Sequence, residues 1–403
     1  MPRTQAWSCV PLVTAEVPVK RQLAKPARPG YSAPVNARSA HDPEKGGPAR
    51  SGSALVTRLS RPPQRLSLAE LPTPVDRAPW LDTTKAKVWI KRDDLSSPIY
   101  GGGKVRKLEW ILANAPFDTD LPILSVGGVG SHHLLALALF LRTQGRTLHG
   151  LTFTQSLTPH VRKNLAVLLS CGAQLWNAPS RAELPGAWLA YHLWRRPDVK
   201  GTSMAAGAST PLGCFGFVDA AFELTAQVKA GLLPKPDVLY VTAGSAGTSA
   251  GLALGFALAG MPIHMHLVSS VEPWAFNTMM MQLKMRGALA ALRRAGLEAS
   301  GSVRSLLRNA GVTYEIDFDE VGAGYGEPTE RGLAAVEMAR EHHIALEPTY
   351  TAKCISALRR TEAHDRGRPH NVLFWHTHAA NDLSVHIEPG WEEKSPVALD
   401  DVP

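Results

Sequence analysis

The chain has 403 residues, 44% hydrophobic and 19% charged, a composition that fits a soluble globular protein with room for two domains sharing a cleft. Its net charge of +8 does not signal nucleic acid: residues 1–62 carry ten Lys and Arg against three Asp and Glu, and the remainder is almost balanced at 33 against 32. Four cysteines without short spacing exclude a disulfide framework and a zinc ribbon and suit a reducing cytoplasm, and the longest apolar run, Ser249 to Ile263, is too short to cross a membrane.

Residues 1–60 are rich in Pro, Ala, Arg, Ser and Gly without periodicity and read as a disordered basic tail. An organellar transit peptide and a start codon placed too far upstream both fit such a tail. From Leu66 onward strands and helices alternate. The apolar pattern predicts strands at Val88–Ile90, Ile123–Val126, Leu148–Phe153, Val238–Thr242, Ile263–Val268, Tyr314–Phe318 and Val372–Trp375. It predicts helices opening near Lys104 and over Ser131–Arg142, Val161–Ser170, Pro211–Ala230, Thr248–Ala259 and Thr329–His342. The alternation implies an α/β fold with parallel-rich sheets and helices on both faces. Ligands in such folds bind in the loops at the carboxyl ends of strands.

The first such loop runs from Lys91-Arg92-Asp93-Asp94 to Gly101-Gly102-Gly103-Lys104-Val105-Arg106-Lys107. Three glycines let the backbone approach a ligand closely in front of Lys104. A lysine at a positive helix end among other cations has a lowered pKa, and a neutral amine forms Schiff bases and acts as a base. Farther on, Val241-Thr242-Ala243-Gly244-Ser245-Ala246-Gly247-Thr248-Ser249 is a strand, a small-residue turn and a helix start. Its N–H groups and hydroxyls suit an anion, and without G-x-G-x-x-G or a P-loop Lys-Ser/Thr it fits a small phosphate monoester. A third turn, Gly127-Gly128-Val129-Gly130-Ser131-His132-His133, offers donors for a carboxylate. Loops at Gly324-Tyr325-Gly326 and Glu347-Pro348-Thr349-Tyr350-Thr351 each present a tyrosine.

Histidine pairs at 132–133, 264/266, 342–343 and 376/378 invite a metal reading. Adjacent histidines on regular structure cannot both face one ion. His264 and His266 share a strand face, but no nearby residue in sequence completes their set, so no metal is expected.

Taken together these blocks resemble the pyridoxal-phosphate enzymes that group 1-aminocyclopropane-1-carboxylate deaminase with D-cysteine desulfhydrase, of fold type II. The resemblance runs from Leu71-Pro72-Thr73-Pro74 to Phe374-Trp375-His376-Thr377 and includes Gly207-Ala208-Ser209-Thr210-Pro211. It implies that Lys104 carries the Schiff base to pyridoxal 5'-phosphate and shuttles the Cα proton. It places the cofactor phosphate on Gly244, Ser245, Ala246, Gly247 and Thr248, counts Lys107 and His132 among the cofactor contacts, and sets the substrate carboxylate near Ser131. Tyr325 and Tyr350 would line the substrate pocket, and Thr351 would face the pyridine nitrogen. A large cofactor domain, residues 61–110 and 216–395, with a smaller domain inserted at 111–215 and a short tail at 396–403, is expected, as a homodimer.

Family members resembling the deaminases have glutamate at the position of Thr351; a threonine there favours β-elimination from a small amino acid, giving keto acid, ammonia and sulfide. Three departures from the family pattern fall near the cofactor: Gly103 for asparagine, His132-His133 for Asn-Gln, and His378-Ala379 for Gly-Gly. The competing readings are cyclopropane amino-acid deamination or racemisation, a catalytically degenerate cofactor-binding protein, and a metal-dependent hydrolase using the histidines.

Overall fold

The structure is a computed structural model, and it describes residues 53–195, 202–362 and 369–399. Most of the basic tail at 1–60, and the end of the one at 396–403, lie outside the described residues.

The strands in chain order are β1 (Val75–Arg77), β2 (Ala86–Arg92), β3 (Ile123–Gly128), β4 (Leu148–Phe153), β5 (Gln174–Ala178), β6 (Ser203–Met204), β7 (Val238–Ala243), β8 (Ile263–Ser269), β9 (Val312–Asp317) and β10 (His370–His376). The helices are α1 (Gly103–Ile111), α2 (His132–Thr143), α3 (Pro159–Ser170), α4 (Leu184–Ala190), α5 (Pro211–Lys229), α6 (Gly247–Ala259), α7 (Thr278–Arg294), α8 (Val303–Ala310), α9 (Glu330–Glu341) and α10 (Thr351–Glu362). One sheet has the order β1-β2-β10-β7-β8-β9 and is parallel except for the β1–β2 pair. The other has the order β5-β4-β3-β6 and is parallel throughout.

Local sequence explains which face each strand shows. In β10, Val372 and Phe374 join the core beneath α9 and α10, whereas Leu373 and Trp375 join the core around α5 and α6. That is the period-two alternation of a strand whose two faces are both covered, which a parallel sheet requires. Helix α6, Gly-Thr-Ser-Ala-Gly-Leu-Ala-Leu-Gly-Phe-Ala-Leu-Ala, is apolar nearly all round and is buried along most of its length, as such helices must be. A separate core around α2, β3 and β4 includes Ile123, Leu134, Leu137, Phe140 and Leu148.

The strands expected from sequence are present with ends moved by a few residues. Those not expected, β1, β5 and β6, are short, and β1 and β5 carry polar residues at or near sheet edges, where only one side is paired. All strands of the smaller sheet lie between residues 111 and 215, but position 215 itself falls inside the continuous helix α5. Among the described residues no helix is long and apolar enough to cross a membrane.

The loops leaving β2, β3, β7 and β10 all sit at carboxyl ends of parallel strands, and each opens toward one cavity.

Candidate active site

That cavity has a volume of about 430 Å³, and Lys104 lines it. The chain reaches Lys104 through a braced turn. The N–H of Gly102 donates to the carbonyl of Asp93 at 2.6 Å, and that of Gly103 donates to the carbonyl of Thr377 at 3.0 Å. Gly102 has φ +80°, and a Cβ there would lie 2.5 Å from the Thr377 carbonyl oxygen, so only glycine fits. At Gly103 a Cβ would come within 2.8 Å of Cζ of Phe217, which accounts physically for glycine at this departure from the family pattern.

Below the turn lies a buried charge network. Arg106 donates to Asp93 Oδ1 at 2.7 Å and to Glu223 Oε2 at 2.9 Å, Lys91 pairs with Glu223 Oε1 at 2.5 Å, and Nε1 of Trp375 donates to Asp93 Oδ2 at 2.7 Å. These bonds join β2, α1, α5 and β10 at the root of the lysine loop.

Burial lowers the pKa of Lys104, opposed by the carboxyl of Glu347. The like-charge effect expected at Lys104 falls instead on Lys107: burial, then Lys104 and Lys284, push its ammonium down to about 7.

Lys107 belongs to an anion cradle at the start of α6. Gly244, Ser245, Ala246, Thr248 and Ser249 line the cavity. Ala246 holds the left-handed conformation, φ +64°, that turns the chain into the helix. Gly247 packs behind the turn, where a Cβ would stand 2.4 Å from Ser209 Oγ and 3.0 Å from Lys107 Nζ. Lys107 Nζ donates to the Gly207 carbonyl at 3.1 Å, Lys284 Nζ donates to the Ser209 carbonyl at 2.7 Å, and Ser209 Oγ meets Ser245 Oγ at 2.7 Å. Among the described residues neither lysine has a carboxylate partner, and the buried Ser249 hydroxyl has no acceptor. Two lysine amines without a carboxylate partner, an orphaned donor and a helix N-terminus are what a phosphate group needs, so the residues fit the phosphate of pyridoxal phosphate.

Across the cavity Ser131 caps α2 through the N–H of Leu134 and lines the wall. The adjacent histidines part company: His132 meets Tyr100 Oη and His160, while His133 bonds Ser125 Oγ. Tyr325 and Tyr350 both line the cavity, their hydroxyls 2.7 Å apart. Arg181 stands over the Tyr325 ring at 4.5 Å and pairs with Glu272 at 3.3 Å.

Thr351 is fully buried and does not line the cavity; its N–H and hydroxyl both donate to Oε1 of Glu347, at 2.7 and 3.2 Å. Glu347 is the residue that faces the cavity, and burial pushes its carboxyl up to about 7 even though backbone N–H groups of Thr349, Tyr350 and Thr351 bond it. The sequence pattern alone assigns Glu347 no role. It also misses Tyr100, Arg181 and Lys284 at the wall and His160 behind it; Lys284 is one cation among several on an amphipathic helix and gives no signal.

The other histidine pairing resolves at a distance. Sheet pairing brings β9 beside β8, where His266 binds Glu315 at 2.7 Å and Asp317 at 2.9 Å, and His264 binds Glu315 at 3.2 Å. Neither histidine lines the cavity.

The profile of the family described as pyridoxal-phosphate dependent enzyme matches residues 66–378. D-cysteine desulfhydrase of Salmonella paratyphi A is 30% identical over 349 residues, covering 80% of this chain and 96% of the relative, and that of Salmonella typhi is 29% identical over the same span. Among solved structures an ACC deaminase homologue superposes with a TM-score of 0.63 at 23% identity, covering 81% of this chain and 94% of the other. A fungal L-serine ammonia-lyase from Rhizomucor miehei superposes with a TM-score of 0.52 at 16% identity, covering 82% and 99%. These two establish the fold, that of fold type II; the matched span, with the lysine loop and the phosphate cradle inside it, shows that the chain belongs to the family of pyridoxal-phosphate dependent enzymes.

Proposed function

We propose that the protein catalyses β-elimination from a small amino acid, D-cysteine first among candidates, yielding a keto acid, ammonia and sulfide. The observation that carries this is convergence: Lys104, the Gly244–Thr248 turn, Ser131 and the tyrosine pair share one cavity, in a chain aligned along most of its length with D-cysteine desulfhydrases. The bound cofactor supplies the electron sink that makes the substrate Cα–H acidic. The chain supplies the rest. Lys107, Lys284 and the α6 N-terminus hold the phosphate, and Ser131 with the α2 N-terminus orients the substrate carboxylate. Lys104, whose ammonium form burial disfavours, anchors the cofactor and then takes the Cα proton. Tyr325 and Tyr350 close the side where the substrate's β-substituent leaves. Their hydroxyl pair offers one donor to a departing anion.

Glu347 supports a second reading. Were the Glu347 carboxyl, rather than the Thr351 hydroxyl bonded behind it, to meet the pyridine nitrogen, an acid there would strengthen the sink, as opening a cyclopropane ring requires. Incubation of the cofactor-loaded protein with D-cysteine, L-cysteine and 1-aminocyclopropane-1-carboxylate separates the two. Sulfide and pyruvate from D-cysteine are expected; keto acid and ammonia from the cyclopropane substrate alone would replace the first reading by the second, and no product from any of them would overturn both.

A further inference from the structure

His132 opens α2, His160 is the second residue of α3 and Glu347 precedes α10, yet one ligating atom from each lies within 4.8 Å of the other two. The two Nε2 atoms face each other at 2.9 Å, with the ring centroids 5.0 Å apart. Glu347 is buried, whereas His160 is part-exposed and lies outside the cavity lining, which gives an ion a way in from solvent. The groups around the set hold it in place. The Tyr100 hydroxyl bonds Nδ1 of His132 at 2.7 Å, and the N–H groups of Thr349, Tyr350 and Thr351 bond the Glu347 carboxylate. Outer partners of this kind orient the ring and the carboxylate of a metal ligand. The His378 ring stands beside the set, 5.2 Å from that of His132 and 6.2 Å from that of His160.

Protons alone serve this cluster poorly. Nδ2 of Asn164 donates to the Gly130 carbonyl at 3.0 Å and also lies 3.3 Å from Nε2 of His160. With the shared proton on His132, Nε2 of His160 divides one lone pair between two donors; with it on His160, that N–H faces the amide N–H of Asn164. Neither tautomer satisfies all three nitrogens. A cation between the Nε2 atoms takes a lone pair from each ring and needs no proton there, while Asn164 keeps its carbonyl partner. Burial disfavours the protonated form of both rings, with His160, His378 and Lys104 adding to it at His132 and Lys163 at His160, and the neutral ring is the form that ligates.

We propose that His132, His160 and Glu347 bind one first-row divalent cation, zinc foremost, at the edge of the cavity. Two imidazoles and a carboxylate form a donor set that favours zinc and its transition-metal neighbours over magnesium and calcium, which want oxygen. Moving the two Nε2 atoms apart by about half an ångström gives the spacing two imidazoles keep on a tetrahedral ion with bonds of about 2.0–2.1 Å. The fourth position is left to water. Helices α2 and α3 link strands of the smaller sheet, whereas α10 lies between β9 and β10 of the larger one. The ion therefore fastens elements of the two sheets together beside the cavity, and its binding stabilises the folded chain. The site stands apart from the amino-acid reading, and an ion holding Glu347 leaves that carboxyl unavailable to the pyridine nitrogen.

Calorimetric titration of untagged, cofactor-loaded protein, freed of metal by a chelator, with zinc chloride tests this. Uptake of one zinc per chain is expected, with a raised thermal midpoint. His160→Gln and His132→Asn are each expected to weaken zinc at least about 100-fold, beyond the roughly 10–100-fold cost of losing an outer partner, and to cancel the thermal shift. The cofactor absorbance of His160→Gln is expected to stay that of the parent. Cobalt(II) bound to the parent gives a reading that needs no variant: X-ray absorption is expected to show nitrogen and oxygen around the ion and no sulfur. Sulfur at the ion, no binding tighter than millimolar, uptake that both variants keep, or displacement of zinc by an equal concentration of magnesium overturns the site. None of these outcomes bears on the amino-acid reading, which the D-cysteine assay decides by itself.

Discussion

Glu347 Oε1 accepts the backbone N–H of Thr351 at 2.7 Å, at the point where α10 begins. The carboxyl is thus both the cap of a helix and the one acid on the cavity wall among the described residues. Its folded-state pKa of about 7 lies above the ordinary 4.5, so between those values the folded protein holds a proton that the unfolded chain has released. Stability therefore falls as pH rises through that window, by up to about 3 kcal/mol from this group, and the penalty is complete above it. Glu347→Gln is expected to flatten that part of the profile, read as urea midpoints at a series of pH values. Parallel profiles for the two proteins would contradict the assignment.

Lys104→Ala is expected to abolish the visible absorbance of the bound cofactor and all turnover together, with thermal stability close to that of the parent protein. Absorbance and sulfide release measured on one sample decide it. Turnover that survives the substitution would remove the lysine from the reaction.

The phosphate cradle makes a separate prediction. Lys107→Met removes a charge-assisted contact worth about 1.5–3 kcal/mol and is expected to weaken cofactor binding by roughly 10- to 100-fold. Gly247→Ala pushes a methyl group onto Ser209 Oγ and Lys107 Nζ and is expected to weaken it too. Equilibrium dialysis against pyridoxal phosphate measures both, whereas pyridoxal without its phosphate is expected to bind parent and variants alike.

Asp93→Asn leaves Arg106 buried with a half-answered charge. Arg106 is 1% exposed and Asp93 is fully buried. Breaking one arm of such a pair costs about 3–5 kcal/mol, which denaturant unfolding would register as a lower midpoint with an unchanged slope.

How much of this was legible beforehand depends on the kind of residue. The run at Val238–Ala243 is a nearly unbroken apolar stretch, buried along its whole length, and it reads plainly as a strand covered on both faces. The glycine turns at 101–103 and 244–247 were equally plain, since close backbone approach leaves a mark in composition. What chain order does not reveal is reach. Glu347 and Thr351 are four positions apart on the same helix entry, and which of them meets the cavity depends on how α10 docks. His160 is the second residue of an ordinary helix, and its neighbour across the gap, His132, is 28 positions earlier. The metal reading was set aside because adjacent histidines cannot share an ion; the structure instead takes His132 from one pair and His378 from another, their rings 5.2 Å apart.

Asp93 binds Arg106 and Trp375 through its side chain and Gly102 through its carbonyl. One residue thus fastens the turn before Lys104 to a helix, a strand and itself, leaving that segment no independent swing. The amine is presented ready-made, so assembly of the holoenzyme should be paced by how fast the vitamer threads the opening and not by any refitting of the loop that receives it.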